Sequence, residues 1–339
     1  MRDLSLMERV FGALRGGKID KTPVTSVAGC GGTVNVDIQK AVGIYWPEAH
    51  KDAEKMARLA IAGQELTGIE NVRVPFDFVI EPEALGCDIK WGEKPDSLPS
   101  TSGHLYKIPS DLRMPENLLE RGRIPVVLEA IRILKREVGE TLPIASTVLA
   151  PFTLAGEIVG LTDFIIWPLK EPEKTKKFVE FCTEITIEYA KAQYNAGSHI
   201  INVADPTAGL IGPLFKDFAK PYLKSVAENL RGMKVLHICG RTDRILAEMA
   251  ETGFDGLSIE VEDVAAAKSA VGDVKILGNV SSSKTLILGK PEDVKAEAKK
   301  ALCGGVNLLE PNCGISPLTP LENIKAMVEA RDEYYADKR

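Results

Sequence analysis

The fold class that the sequence predicts is α/β, a (β/α)8 TIM barrel. Short apolar or β-branched runs alternate with longer segments of helical period, and there are eight such runs. This alternation is typical of a parallel sheet covered by helices. Eight strand and helix units need about 250 residues to close a barrel, and the chain has 339. The predicted strands are 23–29, 71–76, 143–149, 199–205, 233–239, 255–260, 274–280 and 305–311.

Helices are predicted between these strands from apolar residues that recur with a period of 3.6. The last helix should begin with Thr319 as N-cap, Pro320 at the first helical position and Glu322 completing a capping box. No linker or low-complexity tract interrupts the pattern, so we expect one domain over residues 1–339. The other predicted helices are 52–67, 118–138, 174–196, 215–231, 242–252, 262–271 and 291–303.

Two segments exceed what a minimal barrel requires. Residues 5–16 have the spacing of an amphipathic helix and should form an N-terminal helical extension. Residues 78–117 are predicted as a small β insertion in the loop after strand 2. Such loops lie on the face of a barrel where active sites are built, so we expect the insertion to act as a lid or a docking surface.

Composition excludes several classes of function. With 42 basic and 48 acidic residues the formal charge is −6, which gives no electrostatic basis for binding nucleic acid or anionic lipid. No apolar run approaches the ~20 residues that span a bilayer, and the N-terminus does not have the pattern of an export signal. Six cysteines are too few for a disulfide framework in so long a chain. We therefore expect a soluble, cytoplasmic protein with no nucleic-acid or membrane partner.

A histidine and two cysteines stand where predicted strands end. His237 and Cys239 are two residues apart in "KVLHICG", so their side chains should share one face of the fifth strand. Cys313 follows the eighth strand, and Glu260 ends the sixth. In a barrel these ends converge on one opening. Two thiolates and an imidazole form a ligand set for zinc, and three protein ligands with an exchangeable fourth position are typical of a catalytic zinc site.

The alternative is that these side chains only pack. Cysteine is among the most frequently buried residue types, and a His-x-Cys pair on a strand is commonly part of a core or barrel mouth. Cys30, in "AGCGG" after the first strand, is also expected to be a packing residue, although it is the next candidate ligand. The remaining cysteines and histidines lack a neighbour at ligand spacing and are expected to be packing or surface residues: Cys87, Cys182, Cys303, His50, His104 and His199.

Several motifs spread over the whole chain carry a resemblance to a known family. They are "ERVFGALRGGKIDKTPV", "YWPEAH", "APFTLAG", "VLHICG", "GNVSS" and "CGISPLTPLENIKAMVEARDEYY". Together they resemble the uroporphyrinogen decarboxylase superfamily, and within it the methylcobamide:coenzyme M methyltransferases of methanogenic archaea, of the methanol- or methylamine-pathway type. The decarboxylases carry an arginine-containing segment after the first strand. The corresponding "GCGGTVNVDIQK" has no arginine, which disfavours decarboxylation.

This resemblance implies an activity and a cofactor. One zinc ion per chain would be bound by His237, Cys239 and Cys313, with Glu260 as a fourth ligand that the thiol substrate displaces and Glu262 as the alternative. Zinc would deprotonate the thiol of coenzyme M, which then takes the methyl group from methyl-cobalt(III). The product would be methyl-coenzyme M for methanogenesis.

The resemblance also implies how substrate and partner are bound. Coenzyme M carries a sulfonate, for which Arg73 is the candidate cation; pairing of Arg73 with Asp77 or Glu81 is the alternative. Asp205 and Asn279 stand at the barrel mouth, where they either contact substrate or cap the next helix. The chain lacks the Asp-x-His-x-x-Gly motif of corrinoid carriers, so the corrinoid should come from a methylated partner protein.

Three further functions stay open on the sequence alone. One is a zinc-dependent methyltransferase acting on another thiol such as homocysteine. The second is a uroporphyrinogen decarboxylase-like protein. The third is a zinc-stabilised barrel that only docks a corrinoid protein.

Overall fold

The computed structural model describes residues 3–102 and 104–338. Its centre is a curled parallel sheet of seven strands. Each of these seven strands hydrogen-bonds to the one that follows it in the order β1, β4, β5, β6, β7, β8 and β9. This is an α/β fold of the barrel type. The sheet strands are β1 (Val72–Val74), β4 (Ile144–Leu149), β5 (Ile200–Ala204), β6 (Met233–Arg241), β7 (Gly256–Glu260), β8 (Lys275–Val280) and β9 (Leu308–Pro311), and a separate hairpin holds β2 (Asp88–Lys90) and β3 (Ser100–Ser102).

Residues 23–25 lie between the first and last strands of the sheet. Val24 forms a single parallel bridge with Leu309 of β9. On its other side, the carbonyl of Val24 accepts a 2.8 Å hydrogen bond from the N–H of Glu70, just before β1. The ring of strands is therefore joined through one short segment rather than through an eighth regular strand.

The prediction of a full strand over 23–29 was wrong in extent, and side chains account for the difference. The N–H of Ser26 donates to Oδ1 of Asn71 at 2.8 Å, and the N–H of Val27 donates to Oε1 of Glu310 at 2.7 Å. These backbone donors are therefore unavailable for a ladder, and the chain leaves the sheet after residue 25.

Helices follow the strands around the sheet. The predicted helix over 215–231 is divided in two near Pro221, which lacks the N–H needed inside a helix. The helices are α1 (Leu6–Arg15), α2 (Val36–Val42), α3 (Ala53–Thr67), α4 (Ile80–Leu85), α5 (Ile124–Glu137), α6 (Pro151–Val159), α7 (Leu161–Phe164), α8 (Trp167–Lys170), α9 (Pro172–Ala196), α10 (Phe215–Phe218), α11 (Lys220–Asn229), α12 (Leu246–Ala250), α13 (Val264–Val271), α14 (Pro291–Gly304) and α15 (Leu321–Ala336).

Among the described helices, none is by itself long and apolar enough to cross a membrane. The bent pair formed by α6 with residues 161–170 passes that test in length and composition only.

The N-terminal helix α1 closes one end of the sheet. Its start is specified by a capping box between Ser5 and Glu8. Its buried face packs with apolar side chains from the sheet in a cluster separate from the main core, which includes Val10, Leu14, Ala145, Ile200, Val235, Leu277 and Leu308. Since these strand residues stand near the start of each strand, α1 covers the end of the sheet opposite the predicted site.

In chain order, the hairpin of β2 and β3 lies between α4 and α5. Its register pairs Asp88 with Ser102 and Lys90 with Ser100 in antiparallel fashion. Thr101 donates a hydrogen bond to Glu157 of α6. The hairpin is therefore attached to the helix that follows β4, on the same face as the ends of the strands.

The start of α15 differs from the prediction of Thr319 as its N-cap. The helix begins at Leu321, and Pro320 occupies the cap position without a side-chain hydrogen bond. The N–H of Leu321 instead donates to Oδ2 of Asp37 at 3.3 Å. A carboxylate from α2 thus supplies the cap that Thr319 was expected to supply.

Candidate metal centre

Strand β6 carries the first two side chains of the site. His237 and Cys239 project together, and Nε2 of His237 lies 3.0 Å from Sγ of Cys239. His237 is fully buried, whereas Cys239 is partly exposed. The pairing of β6 with β7 shifts register between His237 and Arg241, so the strand is irregular where Cys239 lies. Such irregularities re-aim side chains at the rims of barrels.

Cys313 reaches the site from the loop after β9. Its Sγ lies 3.1 Å from Sγ of Cys239. The preceding residue anchors the loop, because the N–H of Asn312 donates to the carbonyl of Val280 at 2.7 Å and its Oδ1 accepts from the N–H of Ser282 at 3.0 Å. The structure therefore brings together the histidine and the two cysteines singled out in the sequence.

Cys30 is the fourth member of the group. Its Sγ lies 3.1 Å from Sγ of Cys239. One donor atom from each of Cys30, His237, Cys239 and Cys313 lies within 4.8 Å of all the others. The family resemblance favoured Glu260 as the fourth ligand, and Cys30 was only a further candidate. The only signal was its position after the first strand, where a barrel opens.

Two glycines allow the loops that carry Cys30 and Cys313 to touch. A Cβ on Gly29 would lie 2.7 Å from the carbonyl carbon of Cys313, and Gly29 has φ +98°, which disfavours other residues. A Cβ on Gly314 would overlap the carbonyl oxygen of Cys30. The close approach of the two thiols thus depends on backbone contact that larger residues would prevent.

A buried network holds the backbone that leads to Cys30. Nη1 of Arg73 donates to the carbonyl of Ala28, and more weakly to those of its neighbours. Glu310 accepts from the N–H of Val27 at 2.7 Å, and Asn202 donates to the carbonyl of Gly29 at 3.2 Å. The loop is therefore positioned up to residue 29 by charged and amide groups inside the sheet.

Arg73 is fully buried, and its observed contacts exclude the pairing that the sequence offered as an alternative. Asp77 lies 2.9 Å from Nη1 of Arg123, and Glu81 accepts from the N–H of Leu149. Burial lowers the pKa of Arg73 to about 10. Nε and Nη2 of Arg73 have no hydrogen-bond partner among the described residues, so the guanidinium retains free donors beside the backbone that leads to Cys30.

Ser258 of β7 orients the imidazole of His237. Nδ1 of His237 and Oγ of Ser258 lie 3.0 Å apart, and both residues are fully buried. A hydrogen bond at Nδ1 leaves Nε2 facing the sulfurs, which is the arrangement by which metal-bound histidines are held. No sequence motif pointed to Ser258, since the contact depends on the register of β6 against β7.

The four donors shift one another's protonation. Burial lowers the pKa of His237, but the charges and hydrogen bonds of Cys239 and Cys313 together outweigh burial and raise that pKa to about 10. Hydrogen bonds from Cys239 and Cys30 hold the pKa of Cys313 well below its usual range. Hydrogen bonds to Cys239 and Cys313 raise the pKa of Cys30 well above it.

The donor set fits zinc. A tetrahedral ion with Zn–S bonds of about 2.3 Å separates its ligand sulfurs by roughly 3.8 Å. Neighbouring donor atoms lie 3.0 to 3.1 Å apart, and all four lie within 4.8 Å of one another. Small side-chain movements would therefore create a tetrahedron. Sulfur with imidazole nitrogen is the ligand chemistry that zinc prefers.

Comparison with known proteins shows the family of this chain. The family model of uroporphyrinogen decarboxylase (URO-D) matches residues 5–334. The chain belongs to the uroporphyrinogen decarboxylase superfamily. Within it, the chain is 43% identical to the methylcobamide:CoM methyltransferase MtaA of Methanosarcina barkeri, over 99% of this chain and 100% of the relative. It is 38% identical to the methylcobamide:CoM methyltransferase MtbA of Methanosarcina acetivorans, over 98% and 99%.

A solved structure supports the same placement. A methyltransferase from Methanosarcina mazei superposes with a TM-score of 0.93 at 42% identity, covering 98% of this chain and all of that one. This chain is thus a URO-D superfamily member of the methylcobamide:CoM methyltransferase branch.

In this URO-D superfamily member, the predicted carboxylate ligands lie outside the four-residue group. Glu260 ends β7 and pairs in register with Arg241. Glu262 is exposed and lies 3.1 Å from Nη1 of Arg241. Within the described residues, the group of close donor atoms contains Cys30 and neither glutamate. A metal-binding role for Glu260 stays a prediction.

The two remaining predicted site residues hold neighbouring backbone. Oδ1 of Asp205 accepts from the N–H and Oγ1 of Thr153 at 2.9 and 2.7 Å, so it caps the start of α6. Asn279 exchanges two hydrogen bonds with the backbone of Val261, at 2.7 and 3.1 Å. Oδ2 of Asp205 has no partner among the described residues. Contact with substrate stays a prediction for both.

The other thiols and imidazoles lie away from the site. Cys87 and Cys182 are buried, and Cys303 is exposed near the end of α14. Nδ1 of His50 lies 2.9 Å from Asp77, and His199 accepts from the N–H of Ile144 at 3.1 Å.

Proposed function

We propose that this protein is a zinc-dependent methyltransferase that moves a methyl group from a methylated corrinoid to the thiol of coenzyme M. The product is methyl-coenzyme M, for methanogenesis. One observation carries the proposal: His237, Cys239 and Cys313 converge in a chain whose relatives bear the name methylcobamide:CoM methyltransferase.

One zinc ion per chain is the proposed cofactor, with His237, Cys239 and Cys313 as ligands. Bound zinc would supply the Lewis acidity that deprotonates a thiol at neutral pH. The chain's part is to hold three donors rigidly, through Ser258 for the imidazole and through strand and loop backbone for the sulfurs. A fourth, exchangeable position then receives the substrate; the family resemblance assigns that position at rest to Glu260.

Substrate binding is proposed for Arg73, Asp205 and Asn279. Of these, Arg73 has the chemistry that a sulfonate requires, because its Nε and Nη2 donors are unpaired among the described residues. Nη1 of Arg73 donates to the carbonyls of Ala28 and Gly29, so the guanidinium lies beside the loop that carries Cys30.

A separate corrinoid protein is the proposed methyl donor, and the exposed apolar residues support a docking face. In the described part of the chain, the exposed large apolar side chains belong to the loops and short helices that follow the strands along the chain, before the long helices that return to the sheet. Apolar exposure of this kind marks protein interaction sites. These side chains are Tyr45, Leu98, Leu105, Ile108, Met114, Leu161, Ile166, Leu169, Leu210, Leu288 and Leu318.

The insertion over 78–117 is proposed as part of that docking face. It contributes four of the exposed apolar side chains: Leu98, Leu105, Ile108 and Met114. We treat residues 1–339 as one barrel domain that includes this insertion.

A cytoplasmic location is proposed from the thiol chemistry. Sulfurs 3.1 Å apart, as in Cys30, Cys239 and Cys313, would oxidise to disulfides in an oxidising compartment. A reducing compartment keeps them available as ligands.

The proposed function is tested with the purified zinc-loaded protein, free methylcobalamin and coenzyme M. Loss of methyl-cobalt absorbance with formation of cobalt(I) and methyl-coenzyme M would support it. Homocysteine in place of coenzyme M tests the rival thiol. Faster demethylation with homocysteine would overturn the assignment of coenzyme M, and no demethylation with either thiol would favour a protein that only docks a corrinoid carrier.

A further inference from the structure

Four consecutive backbone N–H groups after Cys30 lack acceptors. Gly31, Gly32, Thr33 and Val34 are all buried, and none of their N–H groups has a hydrogen-bond acceptor among the residues that the structure describes. A buried N–H without a partner is rare in folded proteins, because leaving it unpaired costs the free energy of removing it from water. A run of four therefore indicates a ligand that brings acceptors.

We infer that this loop, residues 31–34, is an oxyanion site that binds the sulfonate of the thiol substrate through its backbone N–H groups. The inference rests on the proposed function and deepens it, because it names the part of the chain that selects coenzyme M. A sulfonate brings three oxygen acceptors and one negative charge, and it has no donor of its own. Successive backbone N–H groups in a turn form concave anion sites of this kind.

The conformation of the loop depends on its two glycines. Gly31 has φ +100°, a backbone conformation that residues with a Cβ rarely adopt. A Cβ on Gly32 would lie 2.6 Å from the ring of Phe76. An aromatic ring is only a weak hydrogen-bond acceptor, so the packing that buries the loop leaves its N–H groups unpaired.

Side chains fix both ends of the loop. Before it, the carbonyl of Gly29 accepts from Nη1 of Arg73 and from Nδ2 of Asn202, both at 3.2 Å. After it, Nδ2 of Asn35 donates to the carbonyl of Thr319 at 2.7 Å. The free N–H groups therefore belong to a segment that is held in place before any ligand arrives. Preorganised donors bind charge without the cost of reordering the chain.

The position of the loop suits a substrate as short as coenzyme M. Only two carbons separate the thiol of coenzyme M from its sulfonate, so both ends must bind close together. Cys30 belongs to the group of close donor atoms, and the loop begins at the next residue. Consecutive Cα atoms are about 3.8 Å apart. The first free N–H group therefore follows directly on a donor of the cluster.

The donor character of the loop decides which thiols fit. N–H groups present partial positive charge, so they attract an oxyanion and offer no acceptor to an ammonium group. Homocysteine carries an ammonium group as well as a carboxylate, whereas coenzyme M carries a sulfonate alone. The loop therefore favours a short thiol with an anionic end over neutral or cationic thiols of the same length.

The test uses ethanesulfonate, which has the anionic end of coenzyme M but no thiol for the metal or for methyl transfer. Zinc-loaded protein with isotope labels in the cysteine carbonyl carbons and the glycine nitrogens gives one amide signal for each glycine that follows a cysteine. Four glycines do so: Gly31, Gly240, Gly304 and Gly314. We expect the amide proton of Gly31 to move downfield on titration, as a new hydrogen bond requires. Gly304, at the end of α14, should stay unchanged.

Gly31→Ala tests the conformation of the loop, and Gly43→Ala is its matched control. Both glycines have positive φ, and a Cβ on either would meet no atom closer than 3.8 Å, so both substitutions strain the backbone without a clash. Gly31→Ala should raise the Kd for ethanesulfonate at least about tenfold, the loss expected from one hydrogen bond to a charged group. Gly43→Ala should leave this Kd unchanged.

Thiols of equal length supply a second readout. The KM of the wild type for 3-mercaptopropionate, which ends in a carboxylate, should be lower than for neutral 2-mercaptoethanol or cationic cysteamine. Gly31→Ala should remove most of this difference, and Gly43→Ala should keep it.

The outcomes separate this inference from the proposed function. If the Gly31 amide does not move, if Gly304 moves as far, or if the two alanine variants bind ethanesulfonate equally, the loop is not the sulfonate site. Methyl transfer to coenzyme M in those cases leaves the methyltransferase proposal standing. If the Gly31 amide moves but coenzyme M is never methylated, the oxyanion site stands and the methyltransferase proposal fails.

Discussion

Removal of the Ser258 hydroxyl should weaken zinc binding without removing any ligand. Nδ1 of His237 has Oγ of Ser258 as its partner at 3.0 Å, in a fully buried environment. Loss of such an outer partner typically lowers metal affinity 10- to 100-fold, or about 1.4 to 2.7 kcal/mol. That range agrees with the ~1 to 3 kcal/mol cost of leaving a buried polar group without a partner. We expect Ser258→Ala to fall within it.

The assay is competition for zinc between the protein and a chromogenic chelator of known affinity. Ser146→Ala is the matched control, because Ser146 is also a fully buried strand serine and donates to Gln193 at 2.6 Å. Both variants should lose unfolding free energy, but only Ser258→Ala should lose zinc affinity. Equal zinc affinity in the two variants would refute the reasoning that Ser258 orients a metal-binding imidazole.

Three further outcomes are expected. Cys239→Ala should lose bound zinc and methyl transfer together, because the sulfur of Cys239 contacts the other three donors. Metal content and turnover of the same preparation check this. Full turnover by a metal-free variant would contradict it. Leu169→Asp or Leu210→Asp should raise the KM for the methylated corrinoid protein about tenfold or more. Turnover of free methylcobalamin should stay unchanged. Equal effects on both methyl donors would argue against docking at these leucines. Burial raises the pKa of Asp205 from 3.8 to about 7. Between these two pH values the folded protein keeps a proton that the unfolded chain loses, so the free energy of unfolding falls as pH rises through this range. Asp205→Asn should flatten this decline in urea unfolding, and an unchanged pH profile would contradict the assignment.

The sequence by itself determined the order of strands and helices, because periodicity and strand alternation are local properties of the chain. It also singled out His237 and Cys239, since two residues at i and i+2 on a strand must share a face. Cys313 could be added because the ends of parallel strands converge on one opening. Each of these inferences needs only the geometry of a single strand or of a closed sheet.

Tertiary structure decided what depends on contact between distant loops. Cys30 joins the group because Gly29 and Gly314 let two backbones touch, and no local pattern encodes that approach. The segment after Thr25 is not a strand because Asn71 and Glu310, remote in sequence, bind the N–H groups of its first two residues. Only the packed chain decides which way a side chain points from a glycine-rich loop. Only the packed chain also decides whether a backbone N–H group bonds to a side chain or to a neighbouring strand.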